Sequence, residues 1–223
     1  MLWSPAMTEL VGFAAVAVVA WFAAGTIWNV RLGRETMRWM QEGLPLLGSR
    51  TTVRWLGSSA VEMVINDAKP PFRAVTLVIF LEPRDLPWWP LSHARGRRDT
   101  LIIRGALKKI PSVELEALDP ASWSGREALA RVPREWPTSG SSMMIHYENT
   151  AALERAEALL ALTQAAGLTV RRLSVRRAEP HFQVHAALPD RSRPAREFFE
   201  AVHTLAGCAS DSAGAPGAAA WRR

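Results

Sequence analysis

The stretch RDLPWWPLSHARGRR, at residues 84–98, combines side chains that are well suited to contact with another surface. Trp88 and Trp89 lie between prolines, which fix the backbone φ angle and lower the entropy cost of presenting large rings. Exposed tryptophan beside arginine suits an anionic lipid headgroup layer and equally suits a protein partner. Alternatively, one or both rings fold back into the core. We call residues 84–98 the tryptophan segment, and its candidate docking residues are Trp88, Trp89, Arg95, Arg97 and Arg98.

A second candidate surface follows from the alternation of side chains along three predicted strands near the C-terminus. These strands read SMMIHYE (142–148), VRRLSVRR (170–177) and HFQVHAAL (181–188). If helices cover their apolar side, the open side carries basic residues that suit an anion or an RNA backbone. RNA binders of the ferredoxin-like type stack bases on sheet aromatics, and no aromatic falls on this side, so nucleic acid is not expected. A solvated face, or a seam against the preceding β unit, is the favoured interpretation. The candidate residues are Arg172, Arg176, His146, His181 and His185.

Metal chemistry is not favoured by the histidine spacing. His181 and His185 are four residues apart, as in a helical zinc pair. A strand at roughly 3.3 Å per residue separates them by about 13 Å, which is too far for one ion. The sequence contains no HExxH motif. We therefore predict no metal and no cofactor.

Catalysis is not favoured either, since the sequence has no Walker motif, no GxGxxG and no GxSxG. Glu82, Arg84 and Asp85 form a charged cluster at the end of a predicted strand, and Asp99 follows two arginines. A carboxylate beside an arginine is more often a structural salt bridge than an acid–base pair. We predict no catalytic residue, and a non-enzyme is the favoured interpretation.

The composition is that of a chain with a substantial core. Of 223 residues, 48% are hydrophobic, and the net charge is +6. The positive charge is almost entirely arginine, which stays charged and pairs bidentately with carboxylates and phosphates. A single cysteine, Cys208, excludes an internal disulfide.

The N-terminal region contains a run of nineteen uncharged residues, LVGFAAVAVVAWFAAGTIW, at 10–28. As a helix this run is about 28 Å long, close to the thickness of a bilayer's hydrocarbon core. A cleaved signal peptide is the alternative, but it usually has a basic region before the apolar run. Here the only charged side chain before the run is Glu9, which is acidic. Arginines follow the run instead, which predicts an outward N-terminus and a cytoplasmic remainder. They are Arg31, Arg34 and Arg38.

The rest of the chain predicts an α+β fold. Five β-leaning segments with short connections indicate a mainly antiparallel β unit, a meander or small sandwich, over residues 48–118. They are residues 51–56, 60–66, 72–82, 99–107 and 112–118. Residues 119–140, rich in proline, serine and charge, are interpreted as a linker with one short helix at 125–131.

A β-α-β-β-α unit follows over residues 141–207 and is compatible with a truncated ferredoxin-like arrangement. Its first helix has Thr150 as a candidate N-cap and Gly167 as a stop. Before the β unit we expect an outer terminus (1–9), a transmembrane anchor (10–30) and a juxtamembrane helix (31–47). After the β-α-β-β-α unit, a low-complexity tail (208–223) is predicted to be disordered.

These features together predict a single-pass signal-anchor protein of a prokaryotic cytoplasmic membrane. The expected function is non-catalytic: an interaction or assembly subunit whose cytoplasmic domain docks on a membrane complex or on the bilayer surface. Its expected partners are the lipid bilayer and a membrane protein. The alternative is a membrane-tethered enzyme or small-ligand sensor with a pocket between the two soluble units.

Overall fold

The structure is a computed structural model that describes residues 5–140 and 142–210. The helices of this part are α1 (Pro5–Met40), a 3-10 helix (Leu44–Leu46), α2 (Trp89–Ala94), α3 (Trp123–Leu129), α4 (Thr150–Ala165) and α5 (Ala195–Ala209). The strands are β1 (Thr51–Trp55), β2 (Ala60–Ile65), β3 (Phe72–Phe80), β4 (Thr100–Leu107), β5 (Leu115–Leu118), β6 (Thr138–Ser139), β7 (Met144–Tyr147), β8 (Val170–Val175) and β9 (Phe182–Ala187). A long apolar N-terminal helix is therefore followed by an antiparallel sheet with helices, as predicted.

All nine strands of the described residues belong to one sheet, in the order β1-β2-β3-β4-β9-β8-β5-β7-β6. The two predicted soluble units share this sheet, because β4 pairs with β9 along six residues. β5, which we expected beside β4 in a meander, lies between β8 and β7 instead. The order β-α-β-β-α is present along the chain from β7 to α5, but β5 separates β7 from β8. The ferredoxin-like detail is not confirmed.

One face of the sheet carries the main core. The alternate positions Leu77, Ile103 and Val184 lie side by side across β3, β4 and β9 and are fully buried. Residues of α4, α5 and the C-terminal part of α1 belong to the same apolar cluster, with Leu159, Phe199 and Met40 as buried members. The helices therefore cover one side of the sheet, and the polar alternate positions point to the other.

Helix α1 has two parts with different surroundings. Residues 6–24 are exposed throughout, whereas the second part buries the spaced positions Gly25, Asn29, Gly33, Thr36 and Met40. This spacing of three and four residues marks one helix face. A Cβ added at Gly25 would come within 2.3 Å of the Arg84 carbonyl oxygen, so glycine permits the close approach. The helix is long and apolar enough to cross a membrane, by length and composition.

The ends of α4 differ slightly from the prediction. The N-cap is Asn149, not Thr150, because the Asn149 side chain accepts a hydrogen bond of 2.9 Å from the Ala152 N–H. Gly167 follows the helix with a φ of +67°, a conformation that glycine adopts without the strain of a Cβ.

Helix α5 continues two residues into the predicted tail. Cys208 and Ala209 are buried members of the apolar cluster, so they extend the helix rather than leave it. Residues 1–4 of the predicted outer terminus and residues 211–223 of the predicted tail lie outside the described residues.

Candidate functional site

The tryptophan segment contains a short helix, α2, where a loop was expected, and its two rings have different environments. Trp88 is 58% exposed. Trp89 is partly buried, and its Nε1 donates a hydrogen bond of 2.7 Å to the Glu82 carboxylate. One ring therefore folds back and one remains free.

Glu82 organises the inner side of the tryptophan segment. Its side chain is 3% exposed, and Oε2 contacts both Trp89 Nε1 and, at 2.8 Å, His93 Nδ1. His93 is half-exposed, so the pair is a histidine held by a buried carboxylate. The described hydrogen bonds join no hydroxyl or thiol to this ring, so the arrangement lacks a nucleophile in contact with the base.

Arg84 and Asp99 close the two ends of the same segment. Nη1 and Nη2 of Arg84 donate to the two carboxylate oxygens of Asp99 at 2.9 and 2.7 Å. Burial acts to lower the pKa of Arg84, but hydrogen bonds to Asp99 and the attraction of Asp99 and Glu82 outweigh it and raise the pKa. Arg84 and Asp99 therefore join the two ends of the segment through a bidentate ion pair.

The segment is attached to α1 at the point where the exposed part of the helix gives way to the buried part. Trp21 Nε1 donates to the Leu86 carbonyl at 3.2 Å. Asn29 donates to the Glu82 carbonyl at 3.0 Å and accepts from Arg84 at 3.2 Å. The tryptophan segment therefore lies beside α1 over at least two turns of the helix.

The predicted basic sheet face is not open around its histidines. His146, His181 and His185 are all buried, at 6%, 4% and 8% exposure. Thr138 of β6 lies beside His146, and α3 and His185 line the same cavity, so residues of the predicted linker lie against this face. The Trp136 ring lies 4.6 Å from the Arg176 guanidinium, so an aromatic side chain reaches the face from outside its strands.

The histidines have separate partners. His181 Nδ1 accepts from the Leu107 N–H at 2.9 Å, and His146 Nδ1 contacts Thr138 Oγ1 at 2.9 Å. Burial lowers the pKa of His146, against an opposing pull from Glu116. The described residues contain no group of three or more histidine, cysteine, aspartate or glutamate side chains that could hold a metal ion.

A buried carboxylate joins the two predicted arginines of this face. Glu116 of β5 is 1% exposed and accepts from Arg172 Nε at 2.5 Å, Ser174 Oγ at 2.8 Å and Arg176 Nη2 at 3.0 Å. We call these four residues the Glu116 cluster. Its arginines are structural partners of a buried charge.

Beside the Glu116 cluster lies a cavity of about 420 Å³ between the sheet and α3, which we call the arginine cleft. Its floor includes Thr100, Ile102 and Gln183, and Trp123 and Glu127 of α3 contribute the opposite wall. Glu127 is the only acidic residue among the described lining residues, against six arginines. The arginines are Arg97, Arg98, Arg104, Arg131, Arg171 and Arg172.

Four of these arginines lack a carboxylate within ion-pair distance among residues 5–140 and 142–210. Arg172 pairs with Glu116, and Arg131 pairs with Glu127 at 3.2 Å. Burial, and next the charge of Arg98, lower the pKa of Arg171, while more distant acidic residues act in the opposite direction. The unpaired arginines are Arg97, Arg98, Arg104 and Arg171.

Two polar atoms on the walls of the cleft are buried without a hydrogen-bond partner: Ser124 Oγ and His185 Nδ1. The Gln183 amide nitrogen lies 2.5 Å from His185 Nε2. Since that amide donates, the neutral ring carries its proton on Nδ1. Burial, followed by the charges of Arg172 and Arg104, lowers the pKa of His185 from 6.5 to about 3, so the ring is neutral near pH 7.

The cleft unites residues from both predicted surfaces. Arg97 and Arg98 come from the tryptophan segment, and Arg172 and His185 come from the sheet face. Arg95 lies outside the cleft, where its carbonyl accepts from Arg126 of α3 at 2.9 Å.

The sequence interpretation missed three contributors to the cleft: Arg104, Arg171 and α3. Alternation along β4 could have placed Arg104 on the polar side of the sheet. Strict alternation places Arg171 opposite Arg172, but the register of β8 on β9 shifts between Val170 and Arg172. Such a bulge re-aims a side chain, and both arginines line the cleft.

No family model matches the chain, and no curated protein matches it either.

Proposed function

We propose that this chain is a single-pass protein of a prokaryotic cytoplasmic membrane, and that its soluble domain docks on the bilayer surface without catalysing a reaction. The apolar run of α1 that begins at Leu10 crosses the hydrocarbon core, the N-terminus faces outward, and the sheet lies in the cytoplasm. The observation that carries the proposal is the hydrogen bond from Trp21, in the exposed apolar part of α1, to Leu86 of the tryptophan segment.

This contact sets the depth of the tryptophan segment. Trp21 and Trp28 are two helical turns apart, about 10 Å along the axis, and lie at the C-terminal end of the apolar run. Tryptophan is enriched at the membrane–water boundary. A segment bound to Trp21 therefore lies at headgroup depth, where the exposed side chains Trp88 and Leu91 meet lipid.

The orientation rests on charge. Arg31, Arg34 and Arg38 follow the apolar run and are exposed on α1. Positive residues close to the end of a span tend to remain on the cytoplasmic side. The soluble domain, which continues directly from this end of α1, is therefore assigned to the cytoplasm.

Depth measurement by electron paramagnetic resonance tests the docking. The full chain, with a nitroxide label at Leu91→Cys, is reconstituted in bilayers containing anionic lipid. We expect the label to collide more often with oxygen than with a water-soluble nickel complex, as labels within a bilayer do. The native Cys208 is buried, and it is replaced by serine in both labelled variants.

Lys109→Cys is the matched control because Lys109 is exposed and lies beyond the opposite end of β4. The eight residues of β4 place that end more than about 20 Å from the tryptophan segment. A label at position 91 that is as accessible to nickel as the label at 109 would contradict bilayer docking.

Docking on a membrane protein is the alternative that this surface allows, because tryptophan and arginine also dominate protein interfaces. The full chain is purified in mild detergent, and its companions are identified by mass spectrometry beside those of Trp88→Ala. A stoichiometric membrane partner that is lost in the variant would replace the bilayer as the docking surface. A chain that elutes alone in both samples favours the bilayer.

A second candidate function is a membrane-tethered sensor of a small ligand. One observation favours it: the arginine cleft lies where the strands and helix of the predicted β unit, linker and C-terminal unit meet. This second role is compatible with bilayer docking, since Trp88 and Leu91, which are assigned to lipid, do not line the cleft.

A further inference from the structure

We infer that the arginine cleft binds a small anion that carries phosphate groups. The inference goes beyond bilayer docking and does not depend on it. It rests on the second candidate function, for which it names the class of ligand.

The first step is charge. Arg97, Arg98, Arg104 and Arg171 converge on one cavity, and the described residues supply none of them with a carboxylate partner. Like charges this close repel, and the repulsion is strongest where the wall is partly dry. An anion with several negative charges removes the repulsion and gains ionic hydrogen bonds at the same time.

The second step is the contrast with arginines that are already engaged. Arg172 and Arg176 share the buried Glu116, and Arg84 holds Asp99 bidentately. The chain therefore supplies carboxylates to arginines that have only a structural role. Among the described residues the cleft arginines have no carboxylate partner, as is also true of Arg95 and Arg126 beside the cleft, but only the cleft arginines line a common cavity.

The third step is shape. A cavity of about 420 Å³ falls within the range of roughly 300–1,000 Å³ typical of small-molecule sites. Phe80, Ile102 and Trp123 give it an apolar part beside the charged part. The preferred ligand therefore has an apolar or planar portion attached to its anionic group.

The fourth step is the pair of unpartnered polar atoms, Ser124 Oγ and His185 Nδ1. Buried polar atoms without partners are uncommon in folded proteins, because each such atom loses its hydrogen bonds to water without replacement. A hydroxyl and a neutral imidazole N–H both donate to phosphate oxygens. Both residues line the arginine cleft, but neither atom is accessible from it, and Thr26 Oγ1 and His146 Nε2 are unpartnered elsewhere. The two donors are therefore a supporting observation, and the arginines carry the inference.

Phosphate fits this set of donors better than carboxylate does. A guanidinium binds either anion bidentately. A single carboxylate carries one charge and two oxygens, whereas a terminal phosphate or a diphosphate presents more charge and more oxygens. Four guanidinium groups that have no carboxylate among the described residues match the larger anion, although Arg98 also donates to the His93 and Arg97 carbonyls and Arg171 donates to Thr100.

Two sources can supply this chemistry: a soluble phosphate compound, or the phosphate of an anionic lipid headgroup. The lining of the cleft includes Arg97 and Arg98, the last two residues of the tryptophan segment, and Thr100 just after it. It therefore lies beside the surface that we assign to the bilayer, and the experiment has one arm for each source.

In the first arm, the full chain in phosphatidylcholine nanodiscs is titrated with inorganic pyrophosphate by isothermal calorimetry. In the second arm, nanodiscs also contain phosphatidic acid, and native mass spectrometry counts the phosphatidic acid retained per chain. We expect saturable binding in at least one arm, weakened by added salt because the charges are partly exposed. Binding in the first arm identifies a soluble ligand, and retention in the second alone identifies a lipid.

The test variant is Arg104→Gln/Arg171→Gln. We expect its affinity to fall at least about tenfold for each arginine removed, the size of a lost ionic hydrogen bond. The charge-matched control is Arg50→Gln/Arg196→Gln, whose side chains are more than two-thirds exposed outside the cleft and which should bind as wild type does.

If the test variant melts earlier than wild type in the same nanodiscs, Arg97→Gln/Arg104→Gln replaces it. Arg97 contacts only the Phe80 ring among the described interactions, and Arg104 is exposed. Absence of saturable binding in both arms overturns the inference. So does an equal loss of affinity in the cleft variant and the charge-matched control. Either result leaves bilayer docking intact, because the label at Leu91→Cys reports docking independently.

Discussion

The Glu116 cluster and the arginine cleft are neighbours on one face of one sheet, yet they balance charge in opposite ways. In the Glu116 cluster, a carboxylate that is 1% exposed satisfies two arginines and a serine. In the cleft, four arginines have no carboxylate among the described residues. The difference indicates that arginine content alone does not mark a binding site. The informative feature is an arginine for which the described residues supply no carboxylate partner.

The largest expected effect comes from removing the central carboxylate. Glu116→Gln leaves Arg172 and Arg176 partly buried without a counter-charge, and breaking a buried ion pair in this way costs about 3–5 kcal/mol. Urea unfolding of the full chain in detergent measures the loss. Glu62→Gln is the control: Glu62 pairs with the exposed Arg54, so at most about 1 kcal/mol is expected. Similar losses in the two variants would place the Glu116 cluster among ordinary surface pairs.

A matched pair of arginines tests the comparison directly. Arg172→Gln removes an ionic hydrogen bond from buried Glu116 and should cost about 1–3 kcal/mol. Arg104→Gln removes a side chain without a partner and should change the free energy of unfolding by less than about 0.5 kcal/mol. If Arg104→Gln destabilises as much as Arg172→Gln, the cleft arginines are structural, and the distinction between the two regions fails.

The strands and the long helix that build these regions could be predicted from the sequence, because their signals are local. Nineteen uncharged residues mark the helix, and apolar runs bounded by turn residues mark most strands. The alternation also placed Arg172, Arg176 and His185 on one side correctly. The arginine cleft could not be predicted, because it depends on contacts distant in sequence.

Three features that are not local in sequence bring the residues of the two regions together. β5 pairs with β7 and β8 rather than β4, which brings Glu116 to Arg172. The register shift in β8 turns Arg171 into the cleft. Helix α3, which lies within the predicted linker, packs over the sheet. Periodicity within one strand contains no information on which strand lies beside it.

The pH dependence of stability gives an effect of intermediate size. In the folded chain the pKa of His185 is about 3, below its ordinary value of 6.5. As the pH falls below 6.5, the unfolded chain binds a proton that the folded chain does not. Stability is therefore complete above pH 6.5 and falls by about 1.4 kcal/mol per pH unit toward the folded pKa.

Urea unfolding across this pH window measures the slope, with His185→Gln as the test variant. We expect the variant to lose less stability per pH unit than wild type does. Equal slopes in the variant and the wild type would show that folding does not lower the pKa of His185.

The smallest expected effect comes from a substitution that adds a carboxylate beside the arginines of the cleft, as in the Glu116 cluster. Gln183 lies directly opposite Arg104 in the pairing of β4 with β9 and lines the cleft. Gln183→Glu therefore adds a carboxylate beside Arg104, in addition to Glu127 of the opposite wall. The substitution also removes the amide that donates to His185, and the ring keeps this contact only by carrying its proton on Nε2. An opposite-charge pair across two strands contributes roughly 0.2–1 kcal/mol, so we expect a small gain in the free energy of unfolding.

The same carboxylate repels an incoming anion, so phosphate binding should weaken while stability rises. Urea unfolding and pyrophosphate or phosphatidic acid binding, measured on one preparation, check both signs. A loss of stability without loss of binding would mean that the arginines of the cleft do not act on a shared ligand. A gain in stability with loss of binding would mean that the free arginines are maintained for a ligand, at the expense of the fold.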